Sequence, residues 1–247
     1  MATYKSLSAG LNWASGLPPS GTTVVVAGGL EADGGVVLPH FVSSTLDGGG
    51  AVVLLSFRHT LSHYVHIMRK MGVALSQRSF TFVNGLVAAD LSGLPAATRP
   101  HFTLREWPEF FAWLAAQPPS VLLIDGLCAL LDLGHPCAAV VGFFAACQRI
   151  VEDKRGGQSG LVATLLADDF SEALARALIR RAHYVFSFEG LATGASSDVS
   201  GQLTVAPGHL LCQVPDAARG FKPALLHYRV ADTTVQFFSP GQSSTVL

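Results

Sequence analysis

A glycine-rich segment early in the chain has the spacing of a phosphate-binding loop without its reactive side chains. The segment AGGLEADGGVVLPHF follows the apolar run TTVVV, and Gly29 and Gly34 have the GxxxxG spacing of such a loop. A working loop continues with a lysine for the β- and γ-phosphates and a hydroxyl residue for Mg²⁺. Here those positions are Gly35 and Val36, which offer neither charge nor oxygen. The sequence predicts a degenerate Walker A loop that has lost its chemistry, although the geometry of a phosphate cradle can survive in it.

The charges around this loop also disfavour nucleotide binding. Glu31 and Asp33 place two carboxylates where a polyphosphate would lie. The lysines of the chain are remote from the loop in the sequence, at Lys5, Lys70, Lys154 and Lys222. Loss of the lysine contact, about 1.5–3 kcal/mol, weakens binding roughly tenfold or more, and phosphoryl transfer suffers further because it relies on electrostatic stabilisation. We expect a chain that is not an enzyme and holds no cofactor.

Asp125 is the second position that could carry chemistry, because it ends the apolar stretch SVLLID. Four apolar residues followed by an aspartate are typical of a Walker B strand, whose carboxylate reaches a bound metal ion. The next residue is Gly126, so no adjacent carboxylate is available as a catalytic base. Many buried strands end in aspartate, and we favour the interpretation in which Asp125 caps the following helical turn.

Three histidines at helical spacing, His59, His63 and His66, resemble a metal site at first sight. On a helix, His59 and His66 would lie about 10.5 Å apart along the axis. Zinc ligands lie roughly 2.0–2.1 Å from the metal, so at most one pair could bind together. The spacing therefore favours a histidine cluster at a surface or an interface, and predicts no metal site.

Composition restricts the class of protein further. Charged residues make up only 13% of the chain, against about 25% in typical soluble domains. Such a chain should expose sizeable apolar patches, and we favour their coverage by partner subunits over a simple drift toward alanine and glycine. The net charge of −1 gives no general attraction to a polyanion. No apolar run reaches the roughly 18 residues of a membrane span, and the cysteines lack CxxC spacing, as expected of reduced thiols in the cytosol.

Apolar runs alternate with helix-like segments along most of the chain, which indicates an α/β fold with a mainly parallel central sheet and helices on both faces. The predicted strands are 24–28, 51–57, 79–83, 120–125, 160–166 and 183–188. The predicted helices are 36–46, 59–71, 106–117, 136–153 and 171–181. Strands at 202–205, 224–228 and 234–238 predict a C-terminal antiparallel extension. The length fits one domain, 1–247, with a flexible start over 1–20 and an irregular connection over 87–105.

Several longer stretches resemble one known family. The segments TLSHYVHIMRKMGVAL (60–75), FEGLATGASSDVSGQLTV (188–205) and LHYRVADTTVQFFSPGQSSTVL (226–247) are similar to the sixth subunit of the Elongator complex. VLLIDGLCALLDLG lies between them in the matching order, and the similarity is weakest over 1–21 and 87–105. The resemblance implies a RecA-like three-layer fold in which the phosphate-binding motif is incomplete.

The resemblance also implies a function through assembly. Subunits of this family form a heterohexameric ring with the fourth and fifth Elongator subunits, and the ring binds tRNA and docks on the rest of Elongator. The complex modifies the wobble uridine, U34, of tRNA, with the uridine chemistry in another subunit and nucleotide hydrolysis at most a property of the ring. These relations imply a pseudo-ATPase of the cytoplasm, and also of the nucleus, with no membrane partner. The alternative is an independent P-loop-type NTPase with an unorthodox phosphate loop.

A basic cluster is the candidate for contact with tRNA. Arg176, Arg180 and Arg181 form the densest group of cations in the chain, and phosphate contacts position nucleic acids on proteins. Such a run is more often a solvated helix end, where cations interact favourably with the helix dipole. Both interpretations remain open at this point.

Two C-terminal regions are candidates for subunit contacts. The stretch GLATGASSDVSGQ has the composition of a hairpin tip, and its match to the family makes Gly190, Thr193 and Asp198 candidate interface residues. Phe237 and Phe238 would point to opposite faces of a strand, because side chains alternate. One ring can fill the core, which leaves the other for a partner.

Overall fold

A ten-stranded sheet forms the centre of the protein. The structure is a computed structural model that describes residues 7–8, 11, 13, 17–75, 79–86, 102–103, 106–154, 157–191, 194, 198–212 and 221–241. The strands are β1 (Thr22–Gly28), β2 (Val52–Ser56), β3 (Phe80–Asn84), β4 (Phe102–Thr103), β5 (Val121–Asp125), β6 (Gly160–Leu166), β7 (Tyr184–Glu189), β8 (Gly201–Pro207), β9 (Ala224–Val230) and β10 (Val235–Phe238). The helices are a 3₁₀ helix (Gly34–Val37), α1 (Leu38–Asp47), α2 (Leu61–Lys70), α3 (Trp107–Ala116), α4 (Ala129–Asp132), α5 (Cys137–Asp153), α6 (Glu172–Ile179) and α7 (His209–Cys212).

The middle of the sheet is parallel and one side of it is antiparallel. The strand order is β10-β9-β8-β7-β1-β6-β5-β2-β3-β4. β1 is parallel to both of its neighbours, with Val24 opposite Val162 of β6 and Tyr184 of β7. β8, β9 and β10 continue the sheet beyond β7 as antiparallel strands. The predicted mainly parallel sheet with a C-terminal antiparallel extension is confirmed.

Helices cover both faces of the sheet. Side chains alternate along a strand, so Val24 and Val26 of β1 join one apolar cluster with Phe41 of α1. Val25 joins a second cluster on the opposite face, together with Phe143 of α5. All seven residues of β1 are buried, as expected of a parallel strand that is covered on both sides. The predicted three-layer α/β fold is therefore confirmed.

The short elements are the ones that the sequence did not predict. α4 and α7 have four residues each, which is too short for a helical apolar period to be recognised. The two-residue strand β4 lies inside the stretch predicted as irregular and pairs with β3. Within the described part of the chain, no helix combines the length and apolarity needed to cross a membrane.

Candidate functional site

The carboxyl ends of four parallel strands meet at one edge of the sheet. β1, β6, β5 and β2 are neighbours, and Ser56 at the end of β2 lies opposite Asp125 at the end of β5. Ligands of open α/β sheets bind outside this edge. A hollow of about 290 Å³ lies there, and its lining includes Gly28, Gly29, Arg58, Gly126 and Thr164. This edge holds the residues that the sequence analysis singled out for nucleotide chemistry.

The glycine-rich loop is closed on itself. The Gly29 N–H donates to the Ala32 carbonyl oxygen at 3.1 Å, and the Ala32 N–H donates to the Gly29 oxygen at 3.3 Å. In a phosphate cradle such N–H groups point at the ligand instead. Gly28 makes the tight turn possible, because a Cβ there would lie 2.5 Å from the Gly34 nitrogen. The Gly29 and Ala32 N–H groups therefore do not face a ligand as they would in a phosphate cradle.

Asp33 stands where an anionic ligand would stand. The Gly35 N–H donates to Asp33 Oδ1 at 2.8 Å, and Arg58 Nη1 and Nη2 donate to Oδ1 and Oδ2 at 3.0 Å each. Partial burial alone would raise the pKa of the Asp33 carboxyl, but the hydrogen bonds from Arg58 and Gly35 outweigh it and hold that pKa below its usual value. The bidentate ion pair is therefore intact at neutral pH.

Arg58 is one of the residues of the site that the sequence analysis missed. It lies two positions beyond the end of β2, beside the end of β5, and its Nη1 is 3.9 Å from Asp125 Oδ1. Gly126 makes this placement possible, because it has φ +76° and a Cβ there would lie 2.1 Å from Arg58 Cγ. The available signal was the position of a cation just after a buried strand at the carboxyl edge of a parallel sheet.

Asp125 belongs to a buried hydrogen-bond network. The Tyr64 hydroxyl donates to Asp125 Oδ2 at 2.5 Å, and Thr164 Oγ1 donates to Oδ1 at 2.6 Å. The Tyr64 oxygen also lies 2.8 Å from Ser56 Oγ, and Asp125 is only 1% exposed. Burial and the nearby Asp125 carboxylate raise the pKa of Tyr64. Both oxygens of Asp125 are thus engaged by donors of the core.

This network replaces the capping role expected for Asp125. The N–H groups of the following residues, Gly126 and Leu127, donate to Thr164, through its Oγ1 at 2.9 Å and its carbonyl oxygen at 3.1 Å. The capping interpretation is wrong, because β6 supplies the acceptors for this turn. Thr164, like Arg58, carries a role that depends on which strands are neighbours.

The three histidines lie along a second cavity. A cleft of about 500 Å³ separates α2 from the turn between β9 and β10. His59, His63 and His66 line it, and the rings of His59 and His63 stack with their centroids 3.9 Å apart. His63 and His66 are exposed, which confirms the predicted surface cluster. In the part of the chain that the structure describes, no three or more metal-binding side chains converge.

His63 should make the protein less stable in mild acid. Loss of hydration and the neighbouring His59 lower the pKa of His63, although Asp125 opposes the shift. Below pH 6.5, the ordinary pKa of a histidine, the unfolded chain therefore binds a proton at this residue more readily than the folded chain does. The contribution of His63 to the free energy of unfolding is therefore complete above pH 6.5 and is lost as the pH falls below that value. An NMR titration of the His63 ring proton should give a midpoint under 6.5, and a higher midpoint would contradict this expectation.

The predicted basic cluster is spread over different surroundings. Arg176 makes an ion pair with Glu172 one helical turn earlier. Arg180 is exposed, whereas Arg181 is half-buried and its carbonyl oxygen accepts from Gln148 at 3.1 Å. Arg180 and Arg181 follow α6 just before β7 begins, at the sheet edge opposite the glycine-rich loop. The structure does not bring the three guanidinium groups together with the residues around Asp33.

The candidate interface residues also lie in different surroundings. Gly190 packs beside the loop, because a Cβ there would lie 2.8 Å from Glu31 Oε2. Asp198 is exposed and its Oδ1 lies 3.8 Å from Nη1 of Arg229, a weak surface ion pair. Thr193 lies outside the described residues. Gly190 therefore belongs to the same edge of the sheet as the closed loop.

Phe237 and Phe238 are both buried within this chain, at 1% and 4% exposure. Phe237 packs against Tyr228 in an apolar cluster, with ring centroids 6.0 Å apart. Phe238 lies edge-on to His227 of the neighbouring strand β9. The expectation that one of these rings faces a partner is wrong, because the chain itself covers both of them.

Three of the large exposed apolar side chains lie at the carboxyl edge of the parallel strands, and others, Val65, Leu225 and Val230, lie on α2 and β9. Leu30 is 91% exposed, Phe170 68% and Leu133 51%. They lie in the segments that follow β1, β6 and β5, all at the carboxyl edge of the parallel strands. This distribution agrees with the apolar surface expected from the low charge content.

A solved structure shares the architecture. The uncharacterized protein PH0321 from Pyrococcus horikoshii, crystallised in complex with an unknown peptide, aligns with a TM-score of 0.62. The alignment covers 96% of this chain and 98% of that one, at 11% sequence identity. At that identity the similarity concerns the fold alone, and it agrees with the α/β architecture described above.

Sequence comparisons identify the family. The chain is 31% identical over 242 residues to Elongator complex protein 6 of Xenopus laevis, and 30% identical over 244 residues to that of Homo sapiens. Each alignment covers 88% of this chain and 90% of the relative. The family model described as Elongation complex protein 6 matches residues 4–101 and 108–232. With most of its length matched, the chain belongs to the Elongation complex protein 6 family.

Proposed function

We propose that this chain is a non-catalytic subunit of Elongator that acts in a heterohexameric ring with the fourth and fifth subunits. Family membership supports its place in the complex. The observation that carries the non-catalytic part is the occupied loop, in which Asp33 accepts the Gly35 N–H and both Arg58 nitrogens. A triphosphate would have to displace this ion pair, and Gly35 and Val36 would give it no lysine or hydroxyl in return.

The exposed side chains beside the loop support assembly. Complete burial of a leucine or phenylalanine side chain contributes about 1.5–3 kcal/mol, and Leu30 and Phe170 are largely exposed in the isolated chain. Binding energy at interfaces concentrates in a few such anchors that fill a pocket of the partner. In this proposal a neighbouring ring subunit covers the carboxyl edge of the sheet.

The ring would contact tRNA and support the modification of the wobble uridine in the cytoplasm and the nucleus. Of the three candidate arginines, Arg176 makes an ion pair with Glu172, whereas Arg180 is exposed and does not. It could contact a phosphate with little desolvation, whereas Arg181 is half-buried. The chemistry on the uridine would belong to another subunit, and this chain would contribute surface.

Co-expression with the fourth and fifth subunits tests the assembly. We expect wild-type chain to co-purify with both subunits, and to self-associate or precipitate when it is expressed alone. Leu30→Asp with Phe170→Asp should abolish co-purification, because each change places a charge in an apolar contact. Leu225→Asp alters another exposed leucine, on β9, which lies three strands from β1 in the sheet, and serves as the control. A monomeric wild-type chain that ignores both subunits would contradict the proposal.

Nucleotide and tRNA measurements test the two remaining parts. The isolated chain should show no Mg²⁺-dependent ATP turnover, and micromolar ATP binding with turnover would favour the independent NTPase instead. A ring that lacks this subunit, or carries Arg180→Ala, should bind tRNA more weakly than the complete ring. One lost phosphate contact should also reduce the salt dependence of binding by about one unit of slope.

A further inference from the structure

We propose that Asp33 is an internal anion that closes an oxyanion site formed by Arg58 and the Gly35 N–H, and that Asp33 determines the rejection of phosphate groups at this edge. The inference rests on the proposed absence of nucleotide binding and names the residue responsible. The sequence attributes that absence to a missing lysine at Gly35. The structure shows that a cation is present, Arg58, just after β2 and not in the loop, and that Asp33 already neutralises it.

The donors around Asp33 have the arrangement of an oxyanion site. Both terminal nitrogens of Arg58 lie 3.0 Å from the two carboxylate oxygens, and the Gly35 N–H adds a third contact at 2.8 Å. A guanidinium fork with a backbone N–H is a common way to bind a phosphate group. Asp33 therefore occupies each donor that a phosphate oxygen would use.

The space around Asp33 can admit a ligand once the carboxylate is removed. The Asp33 side chain is 52% exposed and that of Arg58 is 38% exposed. Both residues line the hollow of about 290 Å³, together with Gly28, Gly29, Gly126 and Thr164. The exclusion of phosphate is thus electrostatic and is not a lack of room.

Arg58 should keep its position after Asp33 is removed. Its Nη1 lies 3.9 Å from the buried Asp125 Oδ1, and its aliphatic part lies against Gly126. The hydroxyl groups of Tyr64 and Thr164 already satisfy the Asp125 oxygens, so Arg58 is not drawn deeper into the core. The guanidinium would then face the hollow with its Asp33 contacts vacated, and the nearby Asp125 carboxylate would offset only part of its charge.

Pyrophosphate binding tests the inference. Asp33→Ala should bind pyrophosphate roughly tenfold or more tightly than wild type, because two charge-assisted hydrogen bonds become available. Asp169→Ala removes the same charge from an exposed position in the segment after β6 and should bind as wild type does. Asp33→Ala with Arg58→Ala should lose the gain. Calorimetry on the full chain, or on the assembled complex if the chain precipitates alone, gives the comparison, because other sites contribute equally to all variants.

A second variant covers the case in which Asp33→Ala fails to fold. Asp33→Asn keeps the size, and its Oδ1 can still accept the Gly35 N–H. The amide has no charge, and its Nδ2 cannot accept from Arg58 Nη2, so the bidentate ion pair is lost. It should also gain pyrophosphate binding, with a shift of the Arg58 Nε–H NMR signal on titration. Equal binding by wild type and a folded variant, or a gain that survives the loss of Arg58, would overturn the inference. Either result would leave the assembly test untouched, and failed assembly would leave the pyrophosphate result untouched.

Discussion

Asp125→Ala should lower the free energy of unfolding by about 3–5 kcal/mol, the range for breaking a buried charged network. The Asp125 carboxylate is 1% exposed and accepts from Tyr64 and Thr164. Its removal takes away the acceptor of the Thr164 hydroxyl, leaves the Tyr64 hydroxyl with Ser56 Oγ alone and withdraws a negative charge from Arg58. For a chain of this size the melting temperature should fall by roughly 10 °C.

Denaturant unfolding of the matched variants separates the parts of this network. Tyr64→Phe and Thr164→Val each remove one donor, and each should cost about 1–2 kcal/mol. The double variant should fall short of the sum of the two, because the residues share one carboxylate. An Asp125→Ala protein whose stability is within about 1 kcal/mol of wild type would show that the network contributes little.

Gly126→Ala should lower the free energy of unfolding by about 2–4 kcal/mol, although it adds a single methyl group. Gly126 has φ +76°, a left-handed conformation that strains any residue with a side chain. The new Cβ would also lie 2.1 Å from Arg58 Cγ, so Arg58 must move away from Asp33. Strain and the lost ion pair add up in this variant.

The same substitution elsewhere should have the opposite sign. Gly142 lies in α5, and a Cβ there would have open space around it. Gly142→Ala should raise the free energy of unfolding by about 0.5–1 kcal/mol, because alanine favours the helix over glycine. Chemical denaturation of the two variants side by side measures both effects. Equal losses of stability in Gly126→Ala and Gly142→Ala would contradict the role assigned to Arg58.

The strands of the parallel core could be predicted because they are continuous apolar runs. The strand at 160–166 was predicted with the bounds that β6 has, and its first six residues are buried. The start of α1 was placed two residues early, because the sequence pattern does not distinguish the 3₁₀ helix at Gly34–Val37 from a first α-helical turn. Local composition determines where an element lies better than it determines the geometry of its ends.

The candidate site could be predicted only in part. The missing lysine and Asp125 can each be recognised within one short segment of the sequence, so the sequence indicated both. Arg58 and Thr164 are not, because their roles require β2 beside β5 and β5 beside β6, an order that the sequence does not state. The same limitation explains Phe238, since burial at an edge strand depends on what the neighbouring strand presents.

The position of β1 also bears on synthesis of the protein. β1 leaves the ribosome first among the strands, yet its partners are Val162 of β6 and Tyr184 of β7, opposite Val24. At about 5–20 residues per second, roughly 140 further residues take on the order of ten seconds to translate. During that interval a strand that is fully buried in the folded protein has neither neighbour, so its apolar side chains are open to non-native contacts until the second half of the chain emerges.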